Sequence, residues 1–236
     1  MKSQEASLWK QSLQDEYDSL IERKVWTLVD RPKGAKIFDP KWVLQRKRNE
    51  KNEVVRHKAR LVLRGYEQVP GRDYGDTYAP TVRAETSRLL LSLTAKYDWE
   101  CDQLDAVTAF LNADIDRTIY MWQPAGFNKV PDKVYQLNLA LYGMKQSAKL
   151  WADTNAEGMQ SIGYVRSKYD DALWLRREDR TYVTTHVDDF KVYGANRAII
   201  DAAKTQIMSL FPMKDLRPVK FYLGMQVTRD REKRTI

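Results

Sequence analysis

Two adjacent carboxylates, Asp188 and Asp189, stand between two runs of residues that favour β-strands. Tyr182–Val187 precedes them and Phe190–Tyr193 follows; Val, Tyr, Thr and Phe suit a pleated strand, whereas Asp favours turns. The pattern predicts a short β-hairpin with both acids at its tip. Such close like charges repel each other, and a divalent cation converts that repulsion into coordination because Mg²⁺ prefers carboxylate and phosphate oxygens. A solvated turn is the alternative interpretation.

A third acid, Asp105, directly follows the predicted strand Trp99–Leu104 and begins the run Asp-Ala-Val-Thr-Ala-Phe-Leu. One interpretation makes it the N-cap of a helix, because Asp accepts hydrogen bonds from the first free helical amides. The other makes it a metal ligand at the carboxyl end of a strand. Both can hold together, since helix N-termini also attract phosphates. A further acidic pair, Asp170-Asp171, follows a polar run and is predicted to lie in a loop.

Basic residues are concentrated in one segment. The chain has 236 residues and a net charge of +8. Between Lys41 and Arg72, ten Lys or Arg residues oppose three Glu, which leaves +7 in that segment. Arg56, Lys58 and Arg60 alternate along the predicted strand Val54–Leu63, so they share one face. A cationic strand face of this kind indicates phosphate binding, although a solvated surface is the simpler alternative.

The composition excludes several other classes of protein. With 43% hydrophobic and 31% charged residues, it is typical of a globular protein. No apolar run reaches the roughly 18–20 residues that a membrane helix needs. Cys101 is the single cysteine, so an internal disulfide is impossible. Because one cysteine and two histidines cannot form an ordinary zinc site, any metal would be held by oxygen.

Hydrophobic periodicity and turn residues predict the elements that position these residues. The predicted helices are Glu5–Arg23, Glu85–Lys96 (apolar and buried), Ala148–Ile162 and Ala198–Phe211. The predicted strands are Val25–Val29, Lys41–Arg46 paired with Val54–Leu63, Trp99–Leu104, Val134–Leu137 and Ala172–Arg176, with a hairpin at Asp116–Gln123 and a strand pair at Val219–Thr228. Helices and antiparallel strands together predict an α+β fold.

Several short motifs, in order, resemble the reverse transcriptase domain of copia-type long-terminal-repeat retrotransposons. They are Lys41-Trp42-Val43, Lys58–Val62 with Gly65, Tyr78-Ala79-Pro80, Gln103–Leu111, Ile119–Met121, Gln123–Phe127, Leu141–Ser147, Val187-Asp188-Asp189 and Phe221–Gly224. Each motif is weak alone, but their order and spacing cover nearly the whole chain. His186 replaces the usual aromatic residue before Val-Asp-Asp, Ala106 replaces the usual Val, and Ala148 the usual Pro.

The resemblance implies a two-metal polymerase site. Asp105, Asp188 and Asp189 would be the catalytic carboxylates that hold two Mg²⁺ ions, with Asp105 and Asp188 as the principal ligands; Mn²⁺ could substitute. The nucleotide-binding residues would be Lys58, Arg60, Phe110, Tyr142, Gly143 and Lys145. Phe110 would exclude a ribose 2′-hydroxyl, and Lys58 and Arg60 would hold the triphosphate. Leu223 and Gly224 would form the primer grip, and Lys214 would be a candidate to protonate pyrophosphate.

The implied fold is the fingers and palm of a right-hand polymerase, with an antiparallel palm sheet backed by helices. The fingers would cover about 25–104 and 117–142, and the palm about 105–116 and 143–236. Thumb and ribonuclease H segments are expected to be absent, so the chain would be part of a longer Pol polyprotein and could associate with those missing parts.

The implied function is RNA-directed DNA polymerisation by nucleotidyl transfer onto a primer 3′-hydroxyl. The partners would be an RNA or DNA template with its primer and a deoxynucleoside triphosphate (dNTP), with no membrane. The location would be intracellular, in a cytoplasmic virus-like particle or in the nucleus. The alternative is a truncated, catalytically inactive remnant that keeps the fold and at most binds nucleic acid.

Overall fold

The structure, a computed structural model, describes residues 5–49, 51–127, 130–222 and 224–236. In chain order its helices and strands are α1 (Ala6–Glu22), β1 (Trp26–Asp30), β2 (Ile37–Phe38), β3 (Pro40–Arg48), β4 (Val54–Leu63), α2 (Ala84–Tyr97), β5 (Glu100–Ala106), β6 (Tyr120–Met121), β7 (Lys133–Leu137), α3 (Ser147–Ser161), β8 (Val165–Arg166), β9 (Leu173–Arg176), β10 (Thr181–His186), β11 (Asp189–Gly194), α4 (Arg197–Leu210), β12 (Met213–Pro218), β13 (Phe221–Tyr222) and β14 (Met225–Gln226). Helices and sheets are both present, as the predicted α+β class requires. None of these helices is long and apolar enough to span a bilayer.

The chain divides into two units, each made of two separated segments. Unit 1 comprises residues 1–78 and 110–151, and unit 2 comprises residues 79–109 and 152–236. Unit 1 contains a sheet of order β1-β7-β6-β2 and the hairpin β3–β4. Its core is apolar and fully enclosed, with Leu61, Met121 and Leu141 among its most buried members.

The helix α1 covers one edge of the strand β4, whose other edge pairs with β3. The Ser12 hydroxyl donates to the carbonyl oxygen of His57 (3.1 Å) and accepts from the amide of Ala59 (2.9 Å). Glu16 Oε1 accepts from the amide of Leu61 at 3.3 Å. An unpaired strand edge would offer these groups to another chain, so α1 closes this edge of the hairpin.

Unit 2 is built on an antiparallel sheet of order β12-β5-β11-β10-β9-β8. The predicted hairpin is confirmed as β10 and β11, and the predicted strand at Ala172–Arg176 is confirmed as β9 beside it. The strand β5 lies between β12 and β11, and, as in any strand, its successive residues point to opposite faces of the sheet. Cys101 packs against Leu90 of α2 on one face, and Asp102 contacts Lys204 of α4 on the other.

Three expectations from the sequence were wrong. The strand β5 continues through Asp105 to Ala106 and is followed by a short 3₁₀ segment at Ala109–Asn112. Asp105 is therefore not the N-cap of an α-helix. No hairpin forms at Asp116–Gln123; β6 instead pairs in parallel with β2 and antiparallel with β7. The helix α2 is not buried all round, since Leu89 is 59% exposed.

A buried network of charges joins α4 to the central strands of unit 2. The Arg197 guanidinium donates two hydrogen bonds to Asp102, at 3.1 and 2.7 Å, and Lys204 Nζ lies 2.5 Å from Asp102 Oδ2. Lys204 also contacts Asp215 Oδ2 at 2.9 Å and Asp201 Oδ1 at 3.1 Å. Asp102 is 0% exposed, so this carboxylate depends on its two cationic partners to offset the loss of hydration.

The network shifts the titration of its members in opposite directions. Burial acts to lower the pKa of Lys204, but the hydrogen bonds that Lys204 donates to its carboxylate partners outweigh burial and raise the pKa. Burial acts to raise the pKa of Asp215, but the hydrogen bonds from Lys204 and from the Arg217 amide, together with the charges of these two residues, outweigh burial and lower the pKa. A lowered carboxyl pKa stabilises the fold above the ordinary value of about 4, and that contribution is lost as the pH falls through the lowered pKa.

Replacing Asp102 by Asn should lower the free energy of unfolding by about 3–5 kcal/mol, because Arg197 and Lys204 would lose their shared anion in a buried position. Urea denaturation followed by circular dichroism measures the change. Asp201→Asn is the matched control: its side chain is 51% exposed, and exposed pairs contribute less than about 1 kcal/mol. Equal losses in the two variants would contradict the assigned importance of Asp102.

Candidate active site

Two of the three predicted catalytic acids face each other across neighbouring strands of unit 2. Asp105 on β5 and Asp189 on β11 are direct partners in the strand register. Asp188 lies in the turn before β11, and its carbonyl oxygen accepts a hydrogen bond from the amide of Ala106 at 2.7 Å. The backbone therefore brings all three residues to the same end of the two central strands. Only Asp188 is at the hairpin tip, because Asp189 is the first residue of β11.

The hairpin tip has an unusual backbone conformation. His186 pairs with Asp189, so the connection is the two residues Val187 and Asp188. Val187 has a φ of 58°, in the left-handed region where a β-branched residue is rarely found. A residue held in this way is destabilising by about 1–3 kcal/mol and persists only where its surroundings fix it. Strain of this kind is concentrated at functional sites, which supports the choice of this turn as the candidate site.

The two adjacent acids have different surroundings. Asp188 is exposed to solvent. The Asp189 carboxylate is half-buried: its Oδ2 lies 2.5 Å from Nζ of Lys191, and its buried Oδ1 has no hydrogen-bond partner among the described residues. Burial lowers the pKa of Lys191, against the opposing effect of the hydrogen bond to Asp189. Lys191 was not singled out from the sequence, although a lysine between Phe190 and Val192 on a central strand is an informative signal.

The acids suit a divalent metal by type, since carboxylate oxygens are the ligands that Mg²⁺ prefers. The buried, unpartnered Oδ1 of Asp189 is a further acceptor without a donor. Across residues 5–49, 51–127, 130–222 and 224–236, however, no group of three or more His, Cys, Asp or Glu side chains is arranged to hold a metal ion. Asp189 is instead engaged by Lys191. The donor type therefore fits Mg²⁺, and Asp105 and Asp188 would be the residues that hold it.

The strand β12, which was not predicted, adds a cation beside the acids. Lys214 is the direct register partner of Asp105 and is exposed.

The other acidic pair is placed differently: Asp170 is 3% exposed. Its two carboxylate oxygens accept backbone hydrogen bonds from Arg83 and Ala172, each at 3.0 Å. Asp170 therefore has a structural role, because its buried carboxylate fixes the backbone on both sides of this loop.

Three of the predicted nucleotide-binding residues come together in unit 1 around the ring of Tyr142. The Arg60 guanidinium carbon lies 5.3 Å from the centre of the Tyr142 ring. The Phe110 ring lies 5.0 Å from the same centre, tilted by 59°. A guanidinium over an aromatic face is attracted by the ring's quadrupole and keeps its planar donors oriented. Tyr142 therefore joins the basic strand face to the predicted sugar-discriminating residue.

Lys58 lies two residues before Arg60 on the same face of β4, in a strongly positive environment. Burial, followed by repulsion from Arg60 and Lys47, lowers the pKa of Lys58. The register places Lys47 of β3 opposite Arg56, so cations of both strands reinforce the field. Concentrated positive charge of this kind attracts phosphate groups.

Gly143 is placed by close backbone packing in unit 1. Its φ is 87°, and an added Cβ would lie 2.3 Å from the carbonyl oxygen of Leu63. The amide of Leu63 donates to the carbonyl oxygen of Tyr142 at 2.8 Å. Gly65 makes the reciprocal approach, since a Cβ there would lie 2.0 Å from the carbonyl oxygen of Gly143. These contacts attach the Tyr142 loop directly to the end of β4.

The remaining predicted site residues are Lys145, Leu223 and Gly224. The Lys145 side chain is exposed, and its backbone amide donates to Gln68 Oε1 at 2.8 Å. Gly224 lies in the turn between β13 and β14 with a φ of 80°, while Leu223 lies outside the described residues. The hairpin is anchored by Tyr222, which is 2% exposed and whose hydroxyl lies 2.8 Å from the Ser87 hydroxyl.

Comparison with known proteins defines the family. The family model described as "Reverse transcriptase (RNA-dependent DNA polymerase)" matches residues 23–236. The chain therefore belongs to the reverse transcriptase family, and the copia-type resemblance is confirmed by its relatives.

The relatives are much longer proteins. The Pol polyprotein of transposon TNT 1-94 from Nicotiana tabacum is 36% identical over 230 residues, which is 95% of this chain and 17% of the relative. The Pol polyproteins of transposons RE2 and RE1 from Arabidopsis thaliana are each 30% identical over 226 residues, or 94% of this chain. The chain spans 16% and 15% of those two proteins. It thus corresponds to about a sixth of the length of each relative.

Gly143→Ala should lower the stability of unit 1 by at least about 2 kcal/mol, because a side chain there adds a backbone clash to the strain of a positive φ. Gly126→Ala is the control: it also has a positive φ, 88°, but nothing lies within 4 Å of the added Cβ. Urea denaturation compares the two variants. If Gly126→Ala proved as harmful as Gly143→Ala, the close approach to Leu63 would not be the cause.

Proposed function

We propose that this chain is the RNA-directed DNA polymerase domain of a copia-type Pol polyprotein and transfers nucleotides onto a primer 3′-hydroxyl. The observation that carries the proposal is the pairing of Asp105 with Asp189 on the two central strands of unit 2, with the Asp188 backbone bonded to Ala106 beside them. Membership of the reverse transcriptase family supports the same activity.

In this proposal Asp105 and Asp188 are the principal ligands of two divalent cations, and Asp189 orients the acidic end of the sheet. When bound, the metal ions make the primer 3′-hydroxyl more acidic and neutralise charge on the leaving pyrophosphate. The chain itself supplies the hard oxygen ligands, and the bond between the Ala106 amide and the Asp188 carbonyl oxygen fixes the turn that presents them. The exposed ammonium of Lys214, the register partner of Asp105, would give a proton to pyrophosphate.

The basic face of β4 would bind the triphosphate of the incoming dNTP. Arg60 can make two parallel hydrogen bonds to one phosphate group, whereas Lys58 acts as a point charge. The Tyr142 ring holds the Arg60 guanidinium in position. Phe110, whose ring centre lies 5.0 Å from that of Tyr142, would exclude a ribose 2′-hydroxyl by its bulk. Gly143 and Lys145 would contribute backbone and charge to the same nucleotide-binding surface.

We extend the proposal to the two units. Most of unit 1 would belong to the fingers, because it contains the basic hairpin β3–β4, and most of unit 2 to the palm, because it contains the acids. The unit boundaries differ from the expected fingers and palm at residues 79–104, 110–116 and 143–151. The hairpin β13–β14, whose turn contains Gly224, would form the primer grip together with Leu223. Template, primer and dNTP would be the partners, and the thumb and ribonuclease H segments would come from the rest of a polyprotein.

A second candidate function is binding of nucleic acid without catalysis. It is favoured by one specific observation: in the described part of the chain, no three acidic or other ligand side chains form a ready metal site, and Asp189 contacts Lys191. In that case the basic face of β4 would account for the whole function. Primer extension separates the two candidates.

The purified chain should extend oligo(dT) on poly(rA) in the presence of Mn²⁺, and Asp188→Asn should reduce the rate by at least about 100-fold, because metal ligation supplies several kcal/mol of transition-state stabilisation. The matched control is Asp171→Asn, which removes an exposed acid from the other acidic pair. Denaturing gels measure the extended product.

Extension by the parent that is unchanged in Asp188→Asn would remove this acid from catalysis. A parent that binds primed template but never extends it would favour the second candidate function.

Affinity for primed template should fall steeply with added salt, because each neutralised phosphate releases counterions. The double variant Lys58→Ala with Arg60→Ala should reduce the slope of log affinity against log salt by about 1.5, since two phosphate contacts are lost. Lys10→Ala with Lys33→Ala removes the same charge from exposed positions outside the hairpin and should leave the slope nearly unchanged. Fluorescence anisotropy measures both. Equal slopes in the two double variants would place the phosphate contacts elsewhere.

A further inference from the structure

Lys191 is a charged residue inside the central sheet of unit 2. It is 1% exposed, and its neighbours on β11 are the buried Phe190 and Val192. Removing an ammonium group from water is strongly unfavourable unless other groups replace its hydration. A lysine at such a position therefore depends on the particular side chains that surround it.

Two groups enclose the Lys191 ammonium. On one side, Nζ lies 2.5 Å from Oδ2 of Asp189. On the other side, Nζ lies 3.7 Å from the centre of the Tyr222 ring, within the range of a favourable cation–π interaction. The strand register places Gln103 and Thr184 directly beside Lys191, and neither of these side chains is charged. The carboxylate and the ring are therefore its principal partners.

Strand periodicity fixes where this cation lies relative to the acids. Lys191 and Asp189 are two residues apart on β11 and so point to the same face of the sheet. Asp105 is the register partner of Asp189 and shares that face. A positive charge is thus positioned next to the pair of facing carboxylates, where it opposes their mutual repulsion.

The same contact reaches the hairpin β13–β14. Tyr222, at the end of β13, places its ring against the ammonium, and its hydroxyl lies 2.8 Å from the Ser87 hydroxyl of α2. The turn that contains Gly224 follows Tyr222 in the chain. One buried cation therefore contacts both the acidic strand end and the hairpin.

We propose that Lys191 is a positioning residue that acts as an internal counter-ion: it holds the Asp189 carboxylate and anchors the Tyr222 ring. This inference rests on the proposed function, because the positioned groups are the proposed metal-binding acids and primer-grip hairpin. Lys191 occupies one oxygen of Asp189 and stabilises the acidic end before any metal binds. Asp105 and Asp188 are then the main metal ligands, and Asp189 contributes negative charge and orients the acidic end of the sheet.

The test is the thermal response to Mn²⁺ of Lys191→Met, which keeps an unbranched apolar side chain but removes the charge. Without metal, its melting temperature should be about 5 °C or more below that of the parent, because Asp189 loses its cation. Mn²⁺ should raise the melting temperature of the variant by at least about 3 °C more than it raises that of the parent, since the metal then replaces the missing charge.

Lys204→Met is the matched control. It removes another buried lysine of unit 2, but that lysine contacts Asp102 on the opposite face of the sheet, and Asp102 keeps its two hydrogen bonds to Arg197. This variant should also melt lower than the parent, yet its response to Mn²⁺ should equal the parent's. A response of Lys191→Met no larger than those of the parent and of Lys204→Met would overturn the proposal.

Variants of Tyr222 test the second contact and keep the test valid if Lys191→Met does not fold. Tyr222→Phe keeps the ring over the ammonium and loses the Ser87 contact, whereas Tyr222→Leu loses both. In these variants Lys191 is unchanged. Tyr222→Leu should raise the Michaelis constant for primed template at least about threefold more than Tyr222→Phe does, because the hairpin loses its anchor. Equal constants in the two variants would exclude Tyr222 as the link.

The outcomes separate this inference from the proposed function. If primer extension depends on Asp188 while Lys191→Met responds to Mn²⁺ as the parent does, the polymerase assignment stands and the role of Lys191 is refuted. If Lys191→Met shows the larger metal response but the parent never extends a primer, the counter-ion is supported and the polymerase assignment is refuted.

Discussion

The structure of unit 2 depends on the alternation of side chains along β5. This strand pairs with β11 on one side and β12 on the other, and its successive residues point to opposite faces. One face carries Asp105 toward the candidate site, and the other carries Asp102 into the buried network with Arg197 and Lys204. A shift of one residue in register would move each of these two acids to the opposite face of the sheet. The stability of the network and the placement of the site are therefore set together.

Much of the fold could be predicted because its elements have clear local patterns. The amphipathic helix α1, the basic hairpin and the hairpin β10–β11 all follow from periodicity and turn residues. The strand β12 could not be predicted, since Met-Lys-Asp-Leu-Arg-Pro lacks β-favouring residues and is stabilised by pairing with β5, which is distant in sequence. Asp105 was ambiguous for a related reason: a cap and a strand end look alike until the pairing with β11 is known.

The candidate site was predictable in its residue types and less so in its interactions. The sequence marked Asp188 and Asp189 by their flanking strands, and it marked Arg60 by its place on an alternating basic strand. It gave no indication that Arg60 would lie over Tyr142, or that Lys191 would hold Asp189, because both contacts depend on tertiary packing. Lys191 was therefore missed, although it contacts an acid that the sequence did mark.

The paired glycines of unit 1 have a mechanical consequence. Gly65 and Gly143 leave no space for a side chain between the Tyr142 loop and the end of β4, so neither segment can slide past the other without a steric clash. Together with the hydrogen bond from the Leu63 amide to the Tyr142 carbonyl oxygen, this contact couples the loop to the base of the basic hairpin. A displacement of the hairpin base would therefore be transmitted to the backbone that carries the Tyr142 ring.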